Sequence, residues 1–144
     1  MGVDGMPGGN SFNIVMATGT SEKLVMLGVL TQTGANLGMP VRIFVTGTAL
    51  KSFKKDGFKG KPVMPAGFED YMKELIAGLD KLRTDNWHKM LETAMETGDV
   101  KIFACSLMTS ALGWKKEDLD PIVDSIVGAT DFMIQSGGGQ TVII

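Results

Sequence analysis

The spacing of apolar positions changes along the chain, and each change marks an element. Phe12-Asn13-Ile14-Val15-Met16-Ala17 is a short β-branched and apolar run closed by Thr18-Gly19-Thr20-Ser21, the pattern of a buried strand and its turn. A helix follows from about Glu22 to Asn36. Thr20 or Ser21 stands where its cap belongs, and Glu22 suits its positive first turn. Leu24, Val25, Met26, Leu27, Val29 and Leu30 surround most of that helix, so it is expected to be covered on two sides. Gly38-Met39-Pro40 ends it, and Val41 to Thr46 is a second strand. Phe68, Tyr71, Met72, Leu75, Ile76 and Leu79 then fall at helical spacing, an amphipathic helix. Trp87, Met90, Leu91, Ala94 and Met95 repeat the spacing in another, with Thr84 or Asp85 as its cap and Gly98 at its end.

Gly98-Asp99 opens a third strand, Val100 to Ala104. Ser106 to Leu112 contains neither Gly nor Pro, and Gly113 sits where a helix would stop. Lys115 to Leu119 reads as a turn or short helix, and Asp120-Pro121 as a break. Ser125-Ile126-Val127 is a fourth strand, Ala129 to Ser136 a helix, Gly137-Gly138-Gly139 a turn, and Gln140 to Ile144 a terminal strand. Strands alternating with helices imply a mainly parallel sheet covered on both faces. The expected fold is one three-layer α/β/α domain of about five strands over residues 11–144, behind a flexible tail at 1–10. Residues 47–67 break the alternation. After a helical turn at Ala49 to Phe53, the run carries Gly57, Gly60, Pro62, Pro65 and Gly67, with Lys51, Lys54, Lys55, Lys59 and Lys61 against one acid, Asp56. It is expected to be a mobile loop, either a connector or a lysine-rich lid that attracts an acidic partner or an anionic donor.

Composition narrows the function classes. At 144 residues the chain can bury a real core, and 44% hydrophobic with 21% charged residues is globular. A net charge of -2 removes any general argument for nucleic acid or an anionic membrane. The longest unbroken apolar stretch, Leu24 to Leu30, is too short to span a bilayer. Met1 to Asn10 lacks the basic and apolar regions of a signal peptide. A single cysteine excludes an intrachain disulfide and fits a reducing cytoplasm. No metal-ligand spacing and no phosphate-loop or dinucleotide fingerprint is present, so neither a metal nor a cofactor is expected. His88, the only histidine, reads as a polar-face residue.

Candidate chemistry gathers at one sheet edge. Cys105 falls where the third strand ends and a helix begins, and in an open α/β sheet ligands collect at that carboxyl edge. Unpaired N–H groups of a helix start favour thiolate over thiol. A lone cysteine also serves commonly as a small buried hydrophobe, and both readings stand at this stage. Thr18-Gly19-Thr20 and Thr46-Gly47-Thr48 close the first two strands at the same edge. Each serves as turn and cap chemistry. Together with Cys105 and Ser106 they outline a shared pocket for the oxygens of sulfite, thiosulfate or phosphate. Lys23, in the first turn of its helix, is a candidate cation for stabilising a thiolate or persulfide.

The chain resembles the DsrE/DsrF-like sulfur-relay family, in the branch often labelled peroxiredoxin-like. The resemblance rests on Asn13 to Thr20 with Glu22-Lys23, on Gly38 to Thr46, and most sharply on Val100-Lys101-Ile102-Phe103-Ala104-Cys105 with Leu112-Gly113-Trp114-Lys115-Lys116-Glu117-Asp118-Leu119. Gly128-Ala129-Thr130-Asp131-Phe132 and the closing strand complete it, from about residue 12 to the end. It implies a cytoplasmic α/β protein, usually oligomeric, whose cysteine after the third strand carries sulfur as a persulfide. With no second cysteine, a two-cysteine peroxidase cycle within one subunit is excluded. The leading expectation is a sulfur carrier or sulfurtransferase-type protein acting through Cys105. It would form a homo-oligomer, a trimer or other small assembly, and exchange sulfur with a donor or acceptor protein. The competing expectation is a non-catalytic oligomeric module binding a small anion or nucleotide at the strand ends, and a third is an oligomer whose cysteine is merely core.

Overall fold

All five strands expected from the sequence form, and they join in one parallel sheet. The computed structural model describes residues 11–144, so the expected tail at 1–10 lies outside the described residues. In chain order the elements are β1 (Phe12–Met16), α1 (Ser21–Asn36), β2 (Val41–Val45), 3-10 turns at Gly47–Phe53 and Gly57–Lys59, α2 (Glu69–Lys81), α3 (Trp87–Thr97), β3 (Val100–Cys105), α4 (Ser106–Leu112), a 3-10 turn at Lys116–Asp118, β4 (Ser125–Val127), α5 (Ala129–Gln135) and β5 (Gln140–Ile143). The sheet order is β4-β3-β2-β1-β5. Its register aligns Met16 with Val45, Val45 with Ala104, and Ala104 with Ile126, which brings four strand ends to one edge.

Strand alternation sorts the two faces. Ile14, Met16, Val41, Ile43, Val45, Ile102 and Ala104 are fully buried in the larger core with Leu24 and Leu27 of α1 and Leu91 and Ala94 of α3. On the other face Phe44, Phe103 and Cys105 meet Phe132 of α5 in a smaller core. The three-layer α/β/α arrangement is therefore present, with unequal outer layers: two long helices on one face and seven-residue α5 on the other.

Two local expectations are corrected. The cap of α3 is Asn86, whose side chain accepts the Lys89 N–H at 2.8 Å, in place of Thr84 or Asp85. Neither Thr20 nor Ser21 caps α1 by its side chain; the Ser21 N–H and hydroxyl both donate to the Val63 carbonyl. Long-range bonding thus took the role that local capping was expected to fill. The 47–67 segment has more anchors than its composition suggests. Ala49, Leu50 and Phe53 are fully buried, Lys55 N–H donates to the Asp118 carbonyl, and Asp120 N–H donates to that of Phe53.

Covering also differs from helix to helix. On α1, Met26 and Val29 remain about half exposed, so the helix is covered on one side only within the chain. The apolar stripe of α2 buries Met72 but leaves Phe68, Tyr71 and Leu75 open beside them. Among the described residues no helix is long and apolar enough to cross a membrane.

Candidate functional site

Cys105 closes β3 and is the residue immediately before α4, as the hydrophobic run and the following Gly-free segment imply. The left-handed Gly113 (φ 71°) ends α4, a conformation that favours glycine. In register Cys105 faces Val127, and Gly128 then precedes α5, so two helices start beside the thiol. Ser106, first residue of α4, lies at that junction, its hydroxyl close to the backbone of Gly128. Thr109 donates its hydroxyl to the Cys105 carbonyl at 3.0 Å and fixes the turn.

Around the sulfur the walls are apolar and aromatic. Phe132 stacks on Phe44 with centroids 5.0 Å apart and meets Phe103 edge-on at 6.4 Å; Val15 and Val127 fill the flanks. Such offset and edge-on ring pairs hold their geometry beyond what area burial supplies. The residue keeps 8% of its surface exposed. Cys105 is thus buried among Phe44, Phe103 and Phe132.

The two Thr-Gly-Thr turns lie at the same edge and engage each other. Gly19 N–H donates to the Thr48 hydroxyl at 3.1 Å, while Thr48 N–H donates to the Ala17 carbonyl. Gly47 has φ 56°, and a Cβ there would lie 2.5 Å from the Ala17 carbonyl oxygen, so this position requires glycine. Thr18 N–H donates to Ile144 and Thr46 N–H to Met16. These donors are therefore committed within the protein. The Thr20 hydroxyl oxygen is enclosed and has no hydrogen-bond partner among the described residues.

Lys23 stands on α1, the helix packed against the sheet face opposite the Cys105 side chain, and forms no ion pair among the described residues. A cavity of about 230 Å³ takes in Gly19 and Ser21 but none of Thr18, Lys23, Thr46, Gly47, Cys105 or Ser106. The structure thus places Cys105 and Ser106 at one strand–helix junction and interlocks the two turns, with Lys23 on the helix of the opposite face.

Sequence reasoning missed one cluster. His88 is buried, its Nε2 2.8 Å from Asp120 Oδ2 and its Nδ1 3.3 Å from Glu92 Oε1. Its ring stacks on Phe58 at 3.7 Å between centroids, nearly parallel. Asp120 is buried as well and accepts the Ile122 N–H on its other oxygen. The cluster ties α3 to the 47–67 segment and to the turn before β4. Only Glu92, four residues on along the helix, was visible as a local signal.

No family model matches this chain. No curated protein matches it either. Solved structures resemble it over nearly their whole length, and two of them are these. One is a protein of unknown function, MTH1491, from Methanobacterium thermoautotrophicum: 14% identity, 93% of this chain, 99% of that chain, TM-score 0.49. The other is the ychN protein from E. coli: 15% identity, 92% of this chain, 99% of that chain, TM-score 0.52. At 15% identity the second likeness is one of fold, and the fold is of the DsrE/F-like kind.

Proposed function

We propose that this DsrE/F-like domain is a sulfur carrier that holds sulfane sulfur as a persulfide on Cys105. The observation that carries the reading is the cysteine's place: the end of β3, beside the first turns of both α4 and α5, buried in an aromatic nest. The first turns of two helices would offer N–H groups beside a bound persulfide. The apolar walls keep bulk water from a reactive persulfide. In loading, the Cys105 thiolate attacks the outer sulfur of a donor. With thiosulfate the S–S bond of the donor breaks, sulfite leaves with the electron pair, and Cys105 becomes the persulfide anion. With a protein persulfide, the donor's own thiolate leaves. Transfer to an acceptor thiolate reverses the same exchange.

Intact-mass measurement after thiosulfate, polysulfide or a persulfidated protein donor should show a gain of one sulfur atom, absent in Cys105→Ser. A thiol that alkylates with iodoacetamide yet gains sulfur from none of these donors refutes the reading. The alternative, an anion or nucleotide module at the Thr-Gly-Thr turns, draws less support because the N–H groups of Thr18, Gly19, Thr46 and Thr48 are spent within the protein.

The same reading includes a cytoplasmic location, in keeping with a single free cysteine. It also includes a small homo-oligomer, supported by exposed apolar side chains on adjoining stretches of α1 and α2: Met26 and Val29, Phe68, Tyr71 and Leu75. Sedimentation showing only monomer at micromolar concentration counts against the oligomer.

A further inference from the structure

On the sheet face opposite the Cys105 side chain, the 230 Å³ cavity lies between α1, α2, the start of α3 and the 57–63 segment. Its lining is more apolar than polar. Leu24 and Met90 are buried in it, and Val25, Ile76 and Leu79 line it half-buried. Ser21, one of its polar residues, directs both its N–H and its hydroxyl to the Val63 carbonyl. Two aromatic walls are held by other contacts. Phe58 is fixed by its stack on His88, and Trp87 by its ring contact with Phe53 at 5.2 Å. The cavity is therefore preformed, which spares a ligand the cost of ordering it.

The rim is polar and unevenly charged. Asp80 and Asp85 both line it, and neither makes an ion pair or a side-chain hydrogen bond among the described residues. Among the described residues Lys61 is the one cation in the lining; Lys81 and Arg83, close in sequence, are not part of it. An apolar cavity of about 150 Å³ holds a benzene molecule. A volume of about 230 Å³ has room for one ring and a short arm.

We propose that this cavity is a binding site for a small aryl-alkyl amine, its ring between Phe58 and Trp87 and its ammonium group directed to Asp80 and Asp85. The site is independent of the persulfide reading, because Cys105 belongs to the other face.

Phenethylamine, its carboxylate counterpart phenylpropionate and the neutral phenethyl alcohol distinguish the elements of the proposal. Tryptophan emission is followed in a Trp114→Phe background, so that Trp87 alone reports. Phenethylamine should give a saturable change, with the alcohol weaker and the carboxylate weakest. Asp80→Asn with Asp85→Asn, both at exposed positions, should weaken the amine by roughly threefold or more while leaving the alcohol unchanged. Leu79→Phe, which fills the cavity, should abolish binding of amine and alcohol with the circular dichroism unchanged. Cys105→Ser should leave all affinities as they were. Absence of saturable binding by any probe at millimolar concentration overturns the site. Equal or tighter binding of the carboxylate, or an indifferent Asn pair, overturns the assignment of the ligand's charge. Undiminished binding in a folded Leu79→Phe variant places the probes elsewhere and overturns the proposal.

Discussion

Replacing His88 with Leu isolates the energetics of the buried cluster. The substitution keeps most of the side chain's bulk but removes the group 2.8 Å from Asp120 Oδ2. The Asp120 side chain is only 4% exposed, and its other oxygen keeps the Ile122 N–H at 3.0 Å. Three losses compete. Leaving a buried carboxylate without its partner costs about 3–5 kcal/mol. The second contact, to Glu92, involves a side chain 44% exposed and contributes about 0–1 kcal/mol. The stack on Phe58 accounts for about 0.5–1.5 kcal/mol. The Asp120 contribution dominates, so His88→Leu should destabilise by about 3 kcal/mol or more, a large part of the 5–15 kcal/mol typical of a domain. Asp120→Asn in the same chain removes the stranded charge while keeping an oxygen for Ile122. The double variant should therefore be more stable than His88→Leu alone, with a coupling of about 0.5–3 kcal/mol across the cycle. Urea unfolding followed by far-ultraviolet circular dichroism at neutral pH measures all four corners. A His88→Leu variant within about 0.5 kcal/mol of the parent, or a double variant no more stable than it, refutes the reasoning.

Two further predictions concern the other face. Phe132→Ala removes the ring that closes the aromatic nest, and should cost about 3–5 kcal/mol while speeding Cys105 alkylation under native conditions; an unchanged alkylation rate in the folded variant rules out Phe132 as the barrier. Asp99 accepts two hydrogen bonds from Arg42, which lower its pKa below the usual carboxylate range. A lowered folded value means that the pair stabilises above the unfolded carboxylate pKa and that this stabilisation is lost as pH falls through the lowered one. Because the Asp99 side chain is 57% exposed, Arg42→Gln should cost under about 1 kcal/mol near pH 7, a deficit that narrows in acid. A deficit that grows in acid contradicts the assignment.

Element order was legible in the sequence, because hydrophobic period, Gly-Asp and Thr-Gly-Thr turns and the stop at Gly113 are all local. So was the seam at Cys105, since a β-branched run and a Gly-free segment meet there. Alternation of strands and helices implied a mainly parallel sheet, whose strand ends would share an edge. What local pattern does not contain is direction across the sheet. Cys105 and the Thr-Gly-Thr turns share that edge. Strand alternation nevertheless turns the thiol toward Phe44, Phe103 and Phe132, while α1 and its Lys23 pack on the opposite face. Nor does it contain partners distant in sequence. His88 meets Asp120 across 32 residues, and Phe58 comes from yet another segment, so its burial is decided only when three segments converge. The stripe on α2 shows the same limit in reverse: its period specifies a helix with an apolar face, but whether that face is covered depends on what packs against it. Helical and strand periods act over a few residues, whereas burial, pairing and facing are settled by contacts that exist only after the chain has closed on itself.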